Sequence, residues 1–306
     1  METKSWNTLY GAIIGDICGS IYEFNNFKTD KPEKINLIND ECYFTDDTVC
    51  TAAIADSVKP LLEYMQPPCP NSAEGLNGQL RNRLEIDYGI ALWNWGNKYP
   101  EPERSYGSRF WQWLQDPERK PYGSYGNGAA MRISPIAWLL FEHYRQNPPG
   151  SMMGQEFRVS CYDKILRREV EEATKPSHGH PEGIKGAHAV AWACFTAWCG
   201  REKELIREDI TRRFGYDLSK TLADIRPNYG FDETCQGTVP VAIIAFLESH
   251  DFVSAIQNAI SVGGDSDTIA AITGSIAEAY YKEIPEDLIQ FVRERLTDDI
   301  LVALTL

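Results

Sequence analysis

The sequence predicts an all-α protein, and three observations carry that expectation. Apolar residues recur at helical spacing in one segment after another, as at Phe252, Ala255, Ile256, Ala259 and Ile260. No segment shows the period-two alternation of a half-buried strand. Breaks such as Gln66-Pro67-Pro68-Cys69-Pro70 separate stretches of helical length. No low-complexity tract or shift of composition divides the chain, so about a dozen helices are expected in one domain over residues 1–306.

In chain order, a first helix is expected over 6–22, where Leu9, Ile13, Ile14 and Ile17 share a face. Gly11, Gly15 and Gly19 recur along it at every fourth position, leaving a groove for another backbone or a ligand. Residues 25–41 are polar and read as a loop. A helix then runs to about Met65, and another over 75–97. Trp111, Trp113 and Leu114 form a short aromatic segment. Residues 121–132 lead into a helix through Ile136 to Tyr144, and 147–154 form a loop. Helices follow over 161–174 and from Ala187 to Cys199, with His178 and His180 in the loop between. Pro240 is expected in the first turn of its helix and Asp251 as the cap of the next. A helix with Ile269, Ile272, Ile276 and Tyr280 on one face follows, and the last starts near Pro285.

Composition narrows the function classes. The chain has 306 residues, 43% of them hydrophobic, which suits a packed protein and excludes a disordered one. Its formal net charge of −14 argues against holding a nucleic-acid backbone or an anionic membrane. The eight cysteines contain no CxxC pair and read as reduced thiols. The start, Met1 to Trp6, has no apolar h-region, and the run Val190 to Cys199 is about half of a membrane span. A cytoplasmic protein is expected.

Three stretches carry the chemistry. Phe44-Thr45-Asp46-Asp47-Thr48 and Gly263-Gly264-Asp265-Ser266-Asp267-Thr268 each set acids and hydroxyls at a helix start. Taken singly, such acids are most often caps that accept free backbone N–H groups. Two such starts also make an oxygen cage suited to hard divalent cations. Gly123-Ser124-Tyr125-Gly126-Asn127-Gly128, ahead of a helix, suits a turn whose N–H groups face a phosphate. No Gly-Lys-Ser/Thr follows it, so it is not a Walker loop.

Taken together, these pieces resemble the ADP-ribosylglycohydrolase family. The resemblance rests on Gly11 to Phe24, Phe44 to Thr48, Tyr125 to Arg132, Ser177-His178 with Gly186-Ala187, and Gly263 to Thr268. It implies a compact orthogonal multi-helix fold around a dinuclear metal site, and hydrolysis of the ribosyl C1″ bond of ADP-ribosylated substrates. It further implies two magnesium ions, or manganese in some members, held by Thr45, Asp46, Asp47, Asp265, Asp267 and Thr268. Glu23 would be the catalytic acid on a loop beside them. Gly123, Ser124, Tyr125, Gly126, Asn127 and Gly128 would cradle ADP-ribose, with His178 nearby.

The residues fit that chemistry independently. Cleaving a glycosidic bond passes through an oxocarbenium-like state that needs an oriented water and a proton carrier, and Glu23 is the acid expected to carry it. Two other readings compete. An all-α HD-type phosphohydrolase would use His178 or His180, His250-Asp251 and Asp265, but leaves Asp46 and Asp47 without a role. A catalytically silent relative would have lost the motif acids, all of which are present.

Overall fold

The computed structural model describes residues 9–64, 86–100, 106–146 and 155–306. Among these, regular structure is helical, joined by two isolated β-bridges. In order the α-helices are α1 (Gly11–Gly19), α2 (Asp46–Tyr64), α3 (Tyr88–Lys98), α4 (Ser108–Gln115), α5 (Ser134–Gln146), α6 (Gln155–His178) and α7 (Pro181–Trp198). They continue with α8 (Lys203–Phe214), α9 (Leu222–Ile225), α10 (Cys235–Leu247), α11 (Phe252–Ile260), α12 (Ser266–Tyr281), α13 (Glu286–Arg293) and α14 (Asp298–Leu304). Short 3₁₀ turns occupy Ser20–Asn25, Pro32–Lys34 and Asn127–Ala129.

Helix α12 is the axis of the fold and touches α1, α7, α10 and α11. All of α1 is buried, and so is α12 from Ser266 to Ala279. Their approach is set by small residues. A Cβ on Gly11 would stand 2.3 Å from the Gly274 carbonyl oxygen, and one on Gly15 would stand 2.1 Å from that of Ala270. The partner admitted by the groove along α1 is therefore a second helix backbone. The core runs from Ile13, Ile14 and Ile17 through Trp192, Phe195 and Phe246 to Ile269, Ile272 and Ile276, all essentially without exposure.

Several boundaries differ from the sequence expectation, each for a local reason. Helix α1 starts at Gly11, where the carboxylate of Glu278 accepts the N–H groups of Tyr10 (3.1 Å) and Gly11 (2.9 Å). It tightens at its C-terminal end into the 3₁₀ turn Ser20–Asn25. His178 is the last residue of α6 rather than part of a loop, since that helix continues past Pro176. His180 starts the next helix, its Nδ1 accepting the Glu182 N–H at 3.1 Å. Pro240 lies in the second turn of α10 rather than the first, because Thr234 caps that helix and Pro240 is its sixth residue, counting from Cys235. The carbonyl that Pro240 leaves without its usual donor belongs to the exposed Gln236. The Trp111 segment is a full helix, α4.

Helices α8, α9 and α14 had no expected counterpart; α9 is held by a Thr221–Asp224 capping box. Asp251 caps α11 as expected, in a capping box with Ser254. The Gln66–Pro70 break, part of the helix expected over 75–97 and the 147–154 loop lie outside the described residues. No described helix is long and apolar enough to cross a membrane.

Candidate active site

The two acidic helix starts meet. Thr268 of α12 donates its hydroxyl to Asp47 Oδ2 of α2 at 3.2 Å, across 221 residues of sequence. Asp16, on the buried α1, sets the start of α2. One carboxylate oxygen accepts the Thr45 and Thr48 N–H groups at 3.0 Å each, and the other accepts the Thr45 hydroxyl at 2.7 Å. Thr45 Oγ1 in turn accepts the Asp47 N–H at 3.3 Å, capping the helix. Asp46 and Asp47 then need not cap it themselves. Asp16, unassigned from the sequence, is therefore the residue that aims this motif. Its signal was an acid inside an otherwise uncharged apolar helix, a placement that demands a polar partner.

Asp265 precedes α12 but makes no cap bond to it. Its Oδ2 accepts instead from Asn127 Nδ2 at 2.6 Å, and the same carboxamide reaches Thr238 Oγ1 at 3.0 Å. Gly263 and Gly264, at φ 77° and 73°, form the left-handed turn that aims Asp265, a conformation where a Cβ is strained. Asn26 clips that turn to the Glu23 segment, its Oδ1 accepting the Gly264 N–H at 3.0 Å. The clip brings the half-buried Glu23 beside the acids: one oxygen each from Glu23, Asp265 and Asp267 lie within 4.8 Å of one another.

The glycine-rich loop is sewn on both sides. Ser124 N–H donates to the Ser177 carbonyl at 3.1 Å, and Asn127 N–H to that of Glu233 at 2.8 Å. Gly126 N–H turns back to Ser124 Oγ at 3.0 Å. Three of the N–H groups expected to face a phosphate thus bond within the protein. Tyr125 stands out into solvent, 51% exposed. His178 lies under the loop, and a Cβ on Gly128 would be 2.9 Å from its Nε2. Asn127 is buried, committed through its carboxamide to Asp265.

Burial and mutual repulsion disfavour the charged forms of the acids at this centre. Burial, then Asp16 and Asp265, push the Asp46 carboxyl up to about 7. Burial, opposed by the bonds from Thr48 and Thr45, takes Asp16 to about 6. Burial raises Asp47, Asp265 and Asp267 as well, and neighbouring carboxylates add to it for Asp47 and Asp267. Asp47 Oδ1 is buried without a hydrogen bond. Such a cluster is stable when protonated or when divalent cations replace the protons. Its carboxylate and hydroxyl oxygens are the donors that magnesium prefers, so the residues present fit the group.

The competing histidine sites are taken by other duties. His180 caps α7, Asp251 caps α11, and His250 is exposed.

The profile of the ADP-ribosylglycohydrolase family matches residues 2–305. The chain is 24% identical over 333 residues to the ADP-ribosylhydrolase ARH3 of Xenopus tropicalis, covering 90% of this chain and 86% of that protein. Against ARH3 of Homo sapiens it is 25% identical over 341 residues, covering 96% and 90%. An uncharacterized protein of Archaeoglobus fulgidus is 27% identical over 182 residues, 55% of this chain and about half (53%) of that one. A solved structure titled "ADP-ribosylglycohydrolase-related protein complex" superposes with a TM-score of 0.59 at 21% identity, over 97% of this chain and 94% of that one. At that identity the likeness speaks to the fold.

Proposed function

The chain belongs to the ADP-ribosylglycohydrolase family and is a glycosidic-bond hydrolase, and on that premise we propose that it releases ADP-ribose from ADP-ribosylated substrates by a cation-assisted hydrolysis. The observation that carries this reading is the meeting of Glu23, Asp265 and Asp267 within 4.8 Å, beside the Thr268–Asp47 contact. Thr45, Asp46, Asp47, Asp265, Asp267 and Thr268 would hold two divalent cations, magnesium or manganese. Bound there, they would supply Lewis acidity toward the ribose hydroxyls and the attacking water.

The protein's own residues do the rest. Asp16 and Asn127 fix the two acidic starts, so that their free oxygens face one region. The loop from Gly123 to Gly128, with Tyr125 and His178, orients the nucleotide. Glu23 handles the proton: water adds to C1″, the bond from C1″ to the leaving atom breaks, and that atom departs with a proton. We read residues 1–306 as one domain working in a cytoplasm, in keeping with the free thiols among the described cysteines.

A panel of ADP-ribose conjugates on arginine, serine and an O-acetyl ester, incubated with Mg²⁺ and read by mass spectrometry, tests the reading. Free ADP-ribose, formed from at least one conjugate and suppressed by chelator, is expected. Binding of ADP-ribose without turnover of any conjugate would identify a silent relative. Hydrolysis of phosphate esters alone would favour the phosphohydrolase reading.

A further inference from the structure

Arg132 is only 1% exposed, a placement a guanidinium rarely takes without a specific partner. Its terminal nitrogen donates to Ser177 Oγ at 2.7 Å, and Ser177 Oγ lies 2.8 Å from His178 Nδ1. An arginine can only donate. With one lone pair of Oγ engaged by that cation, the serine proton goes to the nearest acceptor, the imidazole Nδ1. The neutral ring then carries its own proton on Nε2, the nitrogen facing the Gly126–Gly128 turn. Nε2 makes no hydrogen bond to any described residue. Ser177 also holds the glycine loop, since its carbonyl accepts the Ser124 N–H at 3.1 Å. One residue thus sets both the loop and the ring beneath it.

We propose that Arg132 and Ser177 are positioning residues that lock His178 in the Nε2–H form, so that it donates to a phosphate oxygen of the nucleotide. The identity of that ligand rests on the function proposed above; the locked tautomer does not. Gly128 belongs to the same device. A side chain there would occupy the space of Nε2, 2.9 Å away, and push the ring off its aim. The donor is uncharged, so it adds directionality and not field. Because Arg132 stands behind the ring, a second proton on His178 would bring two cations together in a buried place.

The test has two arms, both on the full chain. Long-range ¹H–¹⁵N correlation of ¹⁵N-histidine-labelled protein, with His178 assigned from a His178→Gln spectrum, reports the tautomer without ligand. Wild type is expected as Nε2–H, and Ser177→Ala as a mixture or as Nδ1–H, while Ser177→Thr keeps the wild-type form. Calorimetric titration with ADP-ribose and Mg²⁺ should then show about tenfold weaker binding in Ser177→Ala and near-wild-type binding in Ser177→Thr. An Nδ1–H ring in wild type, or an unchanged tautomer in Ser177→Ala, overturns the lock. A shifted tautomer with unchanged affinity overturns the donor role. Wild-type protein that shows the locked tautomer but binds no ADP-ribose overturns the function reading and leaves the lock standing.

Discussion

Asp251 and Asp265 each stand immediately before a helix, and only Asp251 caps it. Asp251 accepts the Ser254 N–H at 2.7 Å, whereas Asp265 turns to Asn127 and the acidic centre. The difference lies in what surrounds them, since the local sequence permits both. Glu23 is the other decisive side chain at this scale. Glu23→Gln keeps size and polarity but cannot accept a proton near neutral pH. Its kcat on an ADP-ribosylated peptide is expected to fall by roughly 10²–10⁴, with ADP-ribose affinity little changed. A Mg²⁺ titration separates proton transfer from metal holding, because a metal ligand would raise the Mg²⁺ needed for half-maximal rate. A normal kcat at every Mg²⁺ concentration would remove Glu23 from the reaction.

Helices α1 and α12 act as a pair, and the pair delivers Asp16, Glu23, Asp265 and Asp267 to one place. Gly15→Ala would set a Cβ 2.1 Å from the Ala270 carbonyl oxygen and 2.5 Å from the Ala271 nitrogen, backbone that cannot swing aside. A loss of about 3 kcal/mol or more is expected, read as a lowered urea midpoint. Gly230→Ala, where a Cβ meets nothing within 4 Å, is the control.

Glu278 pins the same pair by accepting the first two N–H groups of α1. Burial outweighs those bonds and raises its carboxyl from 4.5 to about 7. The folded chain therefore keeps a proton that the unfolded chain releases between these values. The resulting stability is full below pH 4.5 and is lost as pH rises toward about 7. In metal-stripped protein, wild type should lose stability relative to Glu278→Gln across that window, by up to about 1.4 kcal/mol per pH unit. A flat difference between the two melting curves would mean that Glu278 is ionised throughout.

Across the whole molecule, the acidic centre ties segments more than 200 residues apart, as Thr268 and Asp47 illustrate. Cations bound there, as proposed above, would cross-link α2 and α12 and relieve the repulsion among buried carboxylates. Chelation by EDTA should therefore lower the melting temperature, and Mg²⁺ or Mn²⁺ should restore it. A ligand at a hundredfold excess over its Kd stabilises by about 2.7 kcal/mol. A melting curve indifferent to chelator, in protein shown by elemental analysis to start with metal and end without it, would refute a structural role for the centre.

The sequence by itself determined the helical class, the stripe of glycines on α1 and the cap at Asp251, and it nominated the acids and the loop proposed here as the site. All of these are local properties: a period of 3.6, a residue type at a helix start, the absence of a Cβ. Only the tertiary structure decided that Asp16 aims Thr45 and Thr48, that Asn127 holds Asp265, and that Arg132 and Ser177 stand behind His178. Helix ends followed the same division. Glu278 sets where α1 begins from 267 residues away, and no reading of residues 6–22 contains that carboxylate. A buried polar group takes whichever partner the packing brings within hydrogen-bond reach, and that partner is chosen by the fold rather than by its neighbours in the chain.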